Sequence, residues 1–320
     1  MTLKKLLFSI AKELSVISPT PELDARVIIR HVLNKDDSFL FANPKSPISN
    51  SQYTKIRQII RKRKKGWPIA YLVGHKEFFG YDFIVNKNVL IPRPESEWLV
   101  EQAIQFIKSK VSKVNKETNI LDIGTGSGCI IISLAKELEK LTTYDLRLTT
   151  KLYASDISPK ALAVAKKNAK KLLFEDDARE LDNGSRLRLS AEQAGSNNSI
   201  KFIHSDLFTN HLLHKKFNLI IANLPYVPEQ NGSRIPGRGS IDFEPKDSIY
   251  AQNNGTAIIK KFLKEAKKYL ASYGIILLEL DPRNAEELFK YTAKIYPQSK
   301  VELKKDLAGH DRYLIISVQN

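Results

Sequence analysis

The sequence is poor in sulfur and in long apolar runs, with one cysteine and one methionine among 320 residues. The single cysteine, Cys129, excludes an intramolecular disulfide and a cysteine-rich metal cage, and it fits a reducing cytoplasm. No uninterrupted apolar stretch approaches the roughly 18 residues that span a bilayer. We therefore expect a cytoplasmic protein that is not integral to a membrane, and we expect a monomer.

Positive charge is in excess, with 51 Lys and Arg against 35 Asp and Glu and a net charge of +16. Residues 1–82 hold 15 basic and 7 acidic side chains, so this quarter of the chain carries half of the net charge. Its densest part, 61–65, leaves two interpretations open. It is either a solvated helix end followed by Gly66, or a nucleic-acid contact that would bring the domain close to the ribosome.

The apolar pattern divides the chain into three parts. Apolar residues recur at helical spacing, without strand alternation, in residues 1–77, which predicts a small all-helical N-terminal domain. Short β-rich pieces with turn-forming residues predict a β-hairpin linker over 78–94. Strand-like and helix-like runs then alternate over 95–320, which predicts a doubly wound, Rossmann-like α/β domain.

Seven runs of the third part are predicted to be strands. They are 119–123, 151–156, 200–205, 217–223, 274–281, 299–304 and 312–318. The run 174–199 is polar and poorly periodic, and we interpret it as a surface insertion in this domain.

A glycine-rich turn follows the first of these strands, with Gly124, Gly126 and Gly128 placed after Asp122. Glycines let backbone N–H groups approach a ligand closely, and the spacing differs from the G-x-G-x-x-G pyrophosphate fingerprint. The acidic residue favours a cationic ligand. Asp156 ends the next strand, where a carboxylate can bind ribose hydroxyls, although it could also cap a helix. Together these features predict S-adenosylmethionine as the cofactor.

The apolar run 217–222 ends in the tetrapeptide Asn223-Leu224-Pro225-Tyr226. The Asn223 side-chain oxygen and the Leu224 carbonyl, held by Pro225, can accept both N–H bonds of a planar NH2 group, and the Tyr226 ring can cover its flat face. An ordinary strand exit is the alternative. We interpret the segment as a catalytic loop in which all four residues bind substrate and Asn223, Pro225 and Tyr226 are catalytic.

A metal site is not predicted. His211 and His214 have the spacing of ligands on one helix face, but no third ligand is evident near them in the sequence.

Eight segments resemble, in the same order, the protein-(glutamine) methyltransferases that modify peptide chain release factors, the HemK/PrmC family. The most specific of them is the linker segment Leu90-Ile91-Pro92-Arg93-Pro94-Glu95. The others are 21–26, 66–78, 122–128, 156–159, 223–226, 243–245 and 305–312.

The resemblance implies a seven-stranded class I methyltransferase domain that follows a helical substrate-recognition domain. It implies methyl transfer from S-adenosylmethionine to the side-chain amide of the glutamine in the Gly-Gly-Gln loop of class I peptide chain release factors. Leu207 is expected against the adenine. The implied cofactor-binding residues are Asp122, Gly124, Thr125, Gly126, Ser127, Gly128, Asp156, Leu207 and Asn223.

Three positions depart from the family pattern: Leu224 replaces a usual proline, Asp281 a common glycine, and Asn254 a frequent aspartate. Asn-Leu-Pro-Tyr also resembles the loop of rRNA adenine dimethyltransferases. An rRNA or DNA adenine amino-methyltransferase therefore stays open as an alternative. So does a non-catalytic ribosome-binding factor with a methyltransferase fold, for which 61–65 would be the contact.

Overall fold

A computed structural model describes residues 1–111, 117–142, 150–175, 199–228 and 241–318. These residues fall into two compact units. The first contains Met1–His75 with 85–87 and 241–244, and the second contains the other described residues. Most of the expected insertion, 176–198, lies outside the described residues. In the described ranges no helix is long and apolar enough to cross a membrane.

The first unit is built from helices whose apolar faces share one core. Leu6, Ile10, Ile28 and Ile60 are among the side chains buried there. Helix α4 begins with a capping box, in which Ser49 and Gln52 bond reciprocally. The helices described in this unit are α1 (Leu3–Leu14), α2 (Pro21–Leu33), α3 (Asp37–Ala42), α4 (Asn50–Lys64) and α5 (Ile69–Val73).

The basic run 61–65 forms the C-terminal end of α4 and is followed by Gly66 at a φ of +93°. This position agrees with the helix-end interpretation, because cations are favoured beside the last carbonyls of a helix. Arg63 has a second role. Its Nε donates to Asp24 Oδ2 at 2.7 Å, and the two side chains are only 12% and 6% exposed. The ion pair therefore lies inside the helical unit.

Removing one partner of this buried pair is expected to lower the free energy of unfolding by about 3 kcal/mol, because the other charge stays buried without a partner. Asp24→Leu and Arg63→Met are the single variants. The double variant removes both charges and is expected to recover to within about 1 kcal/mol of the wild type. Denaturant unfolding of the three proteins tests this, and additive losses in the double variant would contradict it.

A short hairpin joins the helical segment to the α/β part of the chain. Its strands are β1 (His75–Phe78) and β2 (Tyr81–Ile84), so it begins three residues before the predicted linker. Phe79 and Gly80 form the turn with φ angles of +53° and +76°. Two consecutive positive φ angles are typical of the tight turns that match the twist of a hairpin.

All seven strands expected of the second unit are present in one large sheet. They are β3 (Thr118–Ile123), β4 (Thr150–Asp156), β5 (Ile200–His204), β6 (Phe217–Ala222), β9 (Leu270–Glu279), β10 (Ser299–Lys305) and β11 (Asp311–Val318). Their order across the sheet is β5-β4-β3-β6-β9-β11-β10, and β11 runs antiparallel to both of its neighbours. A separate two-stranded sheet pairs β7 (Val227–Pro228) with β8 (Tyr250–Ala251).

The sheet is buried on both faces. Ile120 packs in one core cluster and its neighbour Leu121 in another, because successive strand residues point to opposite sides. This two-sided burial explains the continuous apolar runs of the sequence. The helices that cover the sheet are α6 (Glu97–Val111), α7 (Cys129–Thr142), α8 (Pro159–Lys170), α9 (Ala257–Tyr269) and α10 (Ala285–Ile295).

Strand order reverses between β3 and β6 at the centre of the sheet. Ile123 pairs with Ala222 at their carboxyl ends, so the next residues, Gly124 and Asn223, leave the sheet at the same edge. Ligands of open α/β sheets bind in the crevice outside such a switch point. The glycine turn and the tetrapeptide loop therefore face one crevice.

Candidate active site

The glycine-rich turn is tied to the neighbouring strand β4. The N–H groups of Gly124 and Thr125 both donate to the Ser155 carbonyl at 2.9 Å. The N–H of Gly126 donates to Asp156 Oδ2, also at 2.9 Å. These bonds hold the turn at the carboxyl edge of the sheet.

The three glycines of the turn all have positive φ, but they differ in what surrounds them. A Cβ on Gly124 would lie 3.0 Å from Leu224 Cδ2, and a Cβ on Gly128 would lie 2.6 Å from Ile132 Cδ1. At Gly126 the nearest atom would be 3.9 Å away. The turn is therefore packed against protein at its two ends and open to a ligand in the middle.

Asp122 lies beneath the turn and is almost fully buried. Its Oδ2 accepts from Thr125 Oγ1 at 2.7 Å, while Oδ1 has no hydrogen-bond partner among the described residues. Burial and, to a smaller extent, the nearby charge of Asp156 raise the pKa of Asp122 to about 7, although the hydrogen bond from Thr125 opposes the shift. A cation beside this carboxyl would favour its ionised form.

Asp156 closes the turn from the other side. Its Oδ1 accepts from the N–H of Ser158 at 2.8 Å, and its Oδ2 from Gly126. Burial raises the pKa of Asp156, and these two N–H groups oppose the shift. Ser158 is the N-cap of α8, through a 3.2 Å bond from the N–H of Ala161. Ser158, and not Asp156, is therefore the N-cap of this helix.

Asn223 follows the end of β6, and its side-chain NH2 group is bonded inward. Nδ2 lies 2.9 Å from Ser96 Oγ and 3.1 Å from Glu279 Oε2. The amide oxygen, Oδ1, is the atom left to accept from a ligand. This is the orientation that an NH2-binding loop requires.

Glu279 ends β9, next to β6 in the sheet, and is fully buried. It accepts three hydrogen bonds: from Ser96 Oγ at 2.6 Å, from Asn223 Nδ2, and from the Tyr226 hydroxyl at 3.1 Å. Burial raises the pKa of Glu279, while the bonds from Ser96 and Tyr226 and the charge of Arg312 lower it. The carboxylate links both ends of the tetrapeptide.

Ser96 follows the linker segment, which is fastened to the antiparallel strand β11. The Tyr313 hydroxyl donates to the Glu95 carbonyl at 2.8 Å. The Tyr313 ring stacks on Trp98, with centroids 4.0 Å apart and planes inclined by 13°. These contacts on both sides of Ser96 hold it beside Asn223.

The Tyr226 end of the loop rests on a left-handed turn. Asn253, Asn254 and Gly255 have φ angles of +52°, +55° and +86°. Asn284 Nδ2 donates to the Asn254 carbonyl at 2.7 Å and lies 3.5 Å from the Tyr226 carbonyl. A Cβ on Gly255 would lie 2.0 Å from that same carbonyl oxygen, so only glycine fits there.

Two leucines assigned to the site have their side chains in the core. Leu224 is 5% exposed, and its Cδ2 lies beside Gly124, so its side chain packs between the loop and the glycine turn. Leu207 has a φ of +48°, and its side chain packs in the core with Phe208. Its contact with adenine stays a prediction.

The structure brings together most of the predicted site residues, at the carboxyl ends of β3, β4 and β6. Thr125 and Ser127 are buried within the turn, and Pro225 is half-buried in the loop. Four residues that the sequence interpretation missed complete the site: Ser96, Asn168, Glu279 and Asn284. Asn168 is fully buried and donates to the carbonyls of Ser127 and Ile84 at 2.9 and 3.0 Å.

The histidine pair lies outside this crevice. His214 stacks on Tyr269, with centroids 5.5 Å apart, and its Nε2 lies 3.0 Å from the Phe208 carbonyl. In the part of the chain that the structure describes, no group of three or more His, Cys, Asp or Glu side chains could hold a metal ion.

A seven-stranded sheet with one antiparallel strand inserted beside its last parallel strand, and with a glycine turn at the switch point, defines a class I methyltransferase. Family models agree with this assignment. A methyltransferase domain matches residues 114–311, and the PrmC N-terminal domain matches residues 5–74.

The chain belongs to the release factor glutamine methyltransferase family. The release factor glutamine methyltransferase of Leptospira interrogans is 33% identical over 300 residues, which cover 93% of this chain and 92% of that protein. The bifunctional methyltransferase of Rickettsia bellii is 32% identical over 93% of this chain, which spans only 51% of that protein. The expected family is thereby confirmed.

The fold also has a solved counterpart. The hMettl16 catalytic domain, in a crystal structure with MAT2A 3′UTR hairpin 1, has a TM-score of 0.50 at 14% identity. The match covers 91% of this chain and 90% of that one. At this identity the likeness describes the fold alone.

Proposed function

We propose that the protein transfers a methyl group from S-adenosylmethionine to the side-chain amide nitrogen of the glutamine in the Gly-Gly-Gln loop of class I peptide chain release factors. The orientation of Asn223 carries the proposal. Its Nδ2 is bonded inward to Ser96 and Glu279, so the loop offers the amide oxygen to a substrate NH2 group. Family membership supports a release factor as the partner.

The residues of the glycine turn fit this cofactor. The middle of the turn, at Gly126, is open to a ligand. Each oxygen of Asp156 accepts one N–H and keeps a lone pair for a ribose hydroxyl. Asp122 supplies negative charge for a cation, and S-adenosylmethionine would supply an electrophilic methyl group on a sulfonium.

Catalysis depends on orientation, because an amide nitrogen is a poor nucleophile whose lone pair is delocalised. Asn223 Oδ1 and the Leu224 carbonyl accept the two N–H bonds, and the Tyr226 ring covers the amide plane. These contacts fix the direction of the nitrogen and strengthen as it becomes pyramidal. The nitrogen gains the methyl group and releases one proton to solvent, without a general base before attack.

Incubation with purified class I release factors and methyl-labelled cofactor, followed by peptide mapping, tests the proposal. Label on the glutamine of the Gly-Gly-Gln loop is the expected result, and a substrate with asparagine at that position is the matched control. Label on RNA alone would overturn the proposal in favour of an adenine methyltransferase. Failure to bind the cofactor would favour a non-catalytic ribosome-binding factor.

The affinity for S-adenosylmethionine is expected to fall about three- to tenfold as the pH is lowered from 8 to 6. Asp122 has a pKa of about 7, so this change protonates it and removes a negative charge beside the cofactor site. Calorimetric titration across this range gives the slope.

Asp122→Asn is the control for this pH dependence. The asparagine is neutral at every pH, so the variant should bind S-adenosylmethionine more weakly than the wild type at pH 8. Its affinity should also change much less between pH 8 and pH 6. If the cofactor affinity of the variant depended on pH as strongly as that of the wild type, a group other than Asp122 would be responsible for the pH dependence. Asp156 would be the next to test, because burial raises its pKa as well.

A further inference from the structure

The Asn223 amide has two ends of nearly equal size and shape, an oxygen that accepts hydrogen bonds and an NH2 group that donates them. Only the oxygen end can accept from the NH2 group of a substrate. Rotating the amide by 180° exchanges the two ends without changing the shape of the side chain. The neighbours of Asn223 must therefore decide which end faces the substrate.

We propose that Ser96 and Glu279 are a positioning pair that holds the oxygen end of Asn223 toward the substrate, a role that rests on the proposed function. Nδ2 lies 2.9 Å from Ser96 Oγ and 3.1 Å from Glu279 Oε2. The Ser96 hydroxyl proton is donated to Glu279 Oε2 at 2.6 Å. Both neighbours therefore present lone pairs to Nδ2, which donates to both of them.

In the rotated amide, the oxygen, which can only accept hydrogen bonds, would take the place of the donating Nδ2. Oδ1 would lie against the carboxylate of Glu279, and Ser96 could donate to it only by giving up its own bond to that carboxylate. The rotation therefore loses two of the three hydrogen bonds, both to a charged acceptor, which lowers the rotated population more than about a hundredfold. The pair makes Asn223 select ligands that donate N–H bonds and disfavour those that present a carbonyl oxygen.

Glu279 is placed to act through the loop and not on the substrate. It is fully buried at the end of β9, and its second oxygen accepts from the Tyr226 hydroxyl at 3.1 Å. One carboxylate thus orders the amide that binds the NH2 group and the ring that covers it. A buried carboxylate destabilises a fold unless hydrogen bonds satisfy it, and three donors satisfy this one.

A matched pair of variants at Ser96 isolates the hydroxyl. Threonine and valine have nearly the same shape, but only threonine keeps an oxygen for Asn223 and a proton for Glu279. We expect Ser96→Thr to turn over at least about tenfold faster than Ser96→Val, because the two differ by one hydrogen-bonding group in contact with a charge. The difference should appear in kcat, with cofactor affinity within about threefold in both.

Glu279→Leu and Glu279→Gln test the other partner. Leucine removes every acceptor, and we expect kcat to fall about a hundredfold with cofactor affinity retained. Glutamine can still offer its oxygen to Asn223 and should retain more activity than leucine. Equal activity in the threonine and valine variants, or wild-type kcat in Glu279→Leu, would overturn the proposal. Melting temperatures identify any variant that fails to fold.

A readout independent of turnover keeps this proposal separable from the proposed function. In ¹⁵N spectra, the Asn223 side-chain NH2 signal, assigned by its loss in Asn223→Ala, should exchange slowly with water in the wild type and in Ser96→Thr. It should exchange faster in Ser96→Val. Fast exchange in the wild type would overturn the positioning role. Methylation of RNA instead of a release factor would refute only the proposed function. The variants would then be compared on the amino group of the methylated RNA base.

Discussion

Replacing Asn223 with alanine is expected to lower kcat about a thousandfold while leaving cofactor affinity within about threefold of the wild type. The variant removes the oxygen that accepts from the substrate NH2 group, an interaction that matters most as the nitrogen becomes pyramidal. Single-turnover methylation of a release factor and calorimetric titration of the cofactor measure the two quantities separately.

Asn223→Asp is the informative companion to this variant. It keeps the shape and an acceptor oxygen, but it cannot donate to Ser96 and it places a second carboxylate against Glu279. We expect a loss of kcat similar to that of the alanine variant. Turnover near the wild-type rate in Asn223→Ala would contradict a catalytic role for Asn223. A large loss of cofactor affinity in that variant would mean that Asn223 acts mainly by binding the cofactor.

Replacing Gly255 with alanine is expected to reduce methyl transfer at least about a hundredfold and to lower the free energy of unfolding by about 3 kcal/mol. The new Cβ would lie 2.0 Å from the Tyr226 carbonyl oxygen and 2.7 Å from its carbon. Both are backbone atoms, so the Asn223–Tyr226 loop itself must move. Activity assays and denaturant unfolding measure the two effects.

Gly309→Ala is the matched control for the backbone angle. Gly309 has a φ of +84°, against +86° for Gly255, but a Cβ there would meet no atom within 4 Å. This variant is expected to cost only about 1 kcal/mol and to keep its activity within about twofold, because it carries the conformational cost alone. Equal losses in the two variants would mean that the angle, and not the contact with Tyr226, explains the effect at Gly255.

The sheet could be predicted because each strand has a local signal. A strand buried on both faces is a continuous apolar run, and the ends of β3, β4 and β6 carry Gly124, Asp156 and Asn223 where ligands are expected. Strand boundaries have a weaker local signal. β9 begins at Leu270, four residues before the predicted start at 274, because Ser272 and Tyr273 interrupt the apolar pattern without ending the strand.

The inner part of the site could not be predicted from spacing. Ser96 and Glu279 are 183 positions apart, and Asn223 and Ser96 are 127 apart, so only the folded sheet brings them together. One signal was available for Glu279, an acidic residue that ends an apolar strand. The same signal identified Asp122 and Asp156 because a glycine turn lay beside them.

The departure at Leu224 shows why sequence alone could not evaluate the loop. A proline ring limits the backbone directly, whereas leucine does so only if its side chain is packed. In the structure Leu224 is buried and lies against Gly124. The glycine turn and the Asn223–Tyr226 loop are therefore in direct contact, which the separate motifs do not reveal.

The contacts of Tyr313 with Glu95 and Trp98, on either side of Ser96, form late in the synthesis of the chain. Tyr313 and Glu95 are 218 positions apart, so the ribosome completes β11 long after the glycine turn and the Asn223 loop have been synthesised. A nascent chain holds these two elements while the segment around Ser96 still lacks its anchor. Methyl transfer is therefore expected to begin abruptly, when β11 inserts between β9 and β10 and completes the sheet.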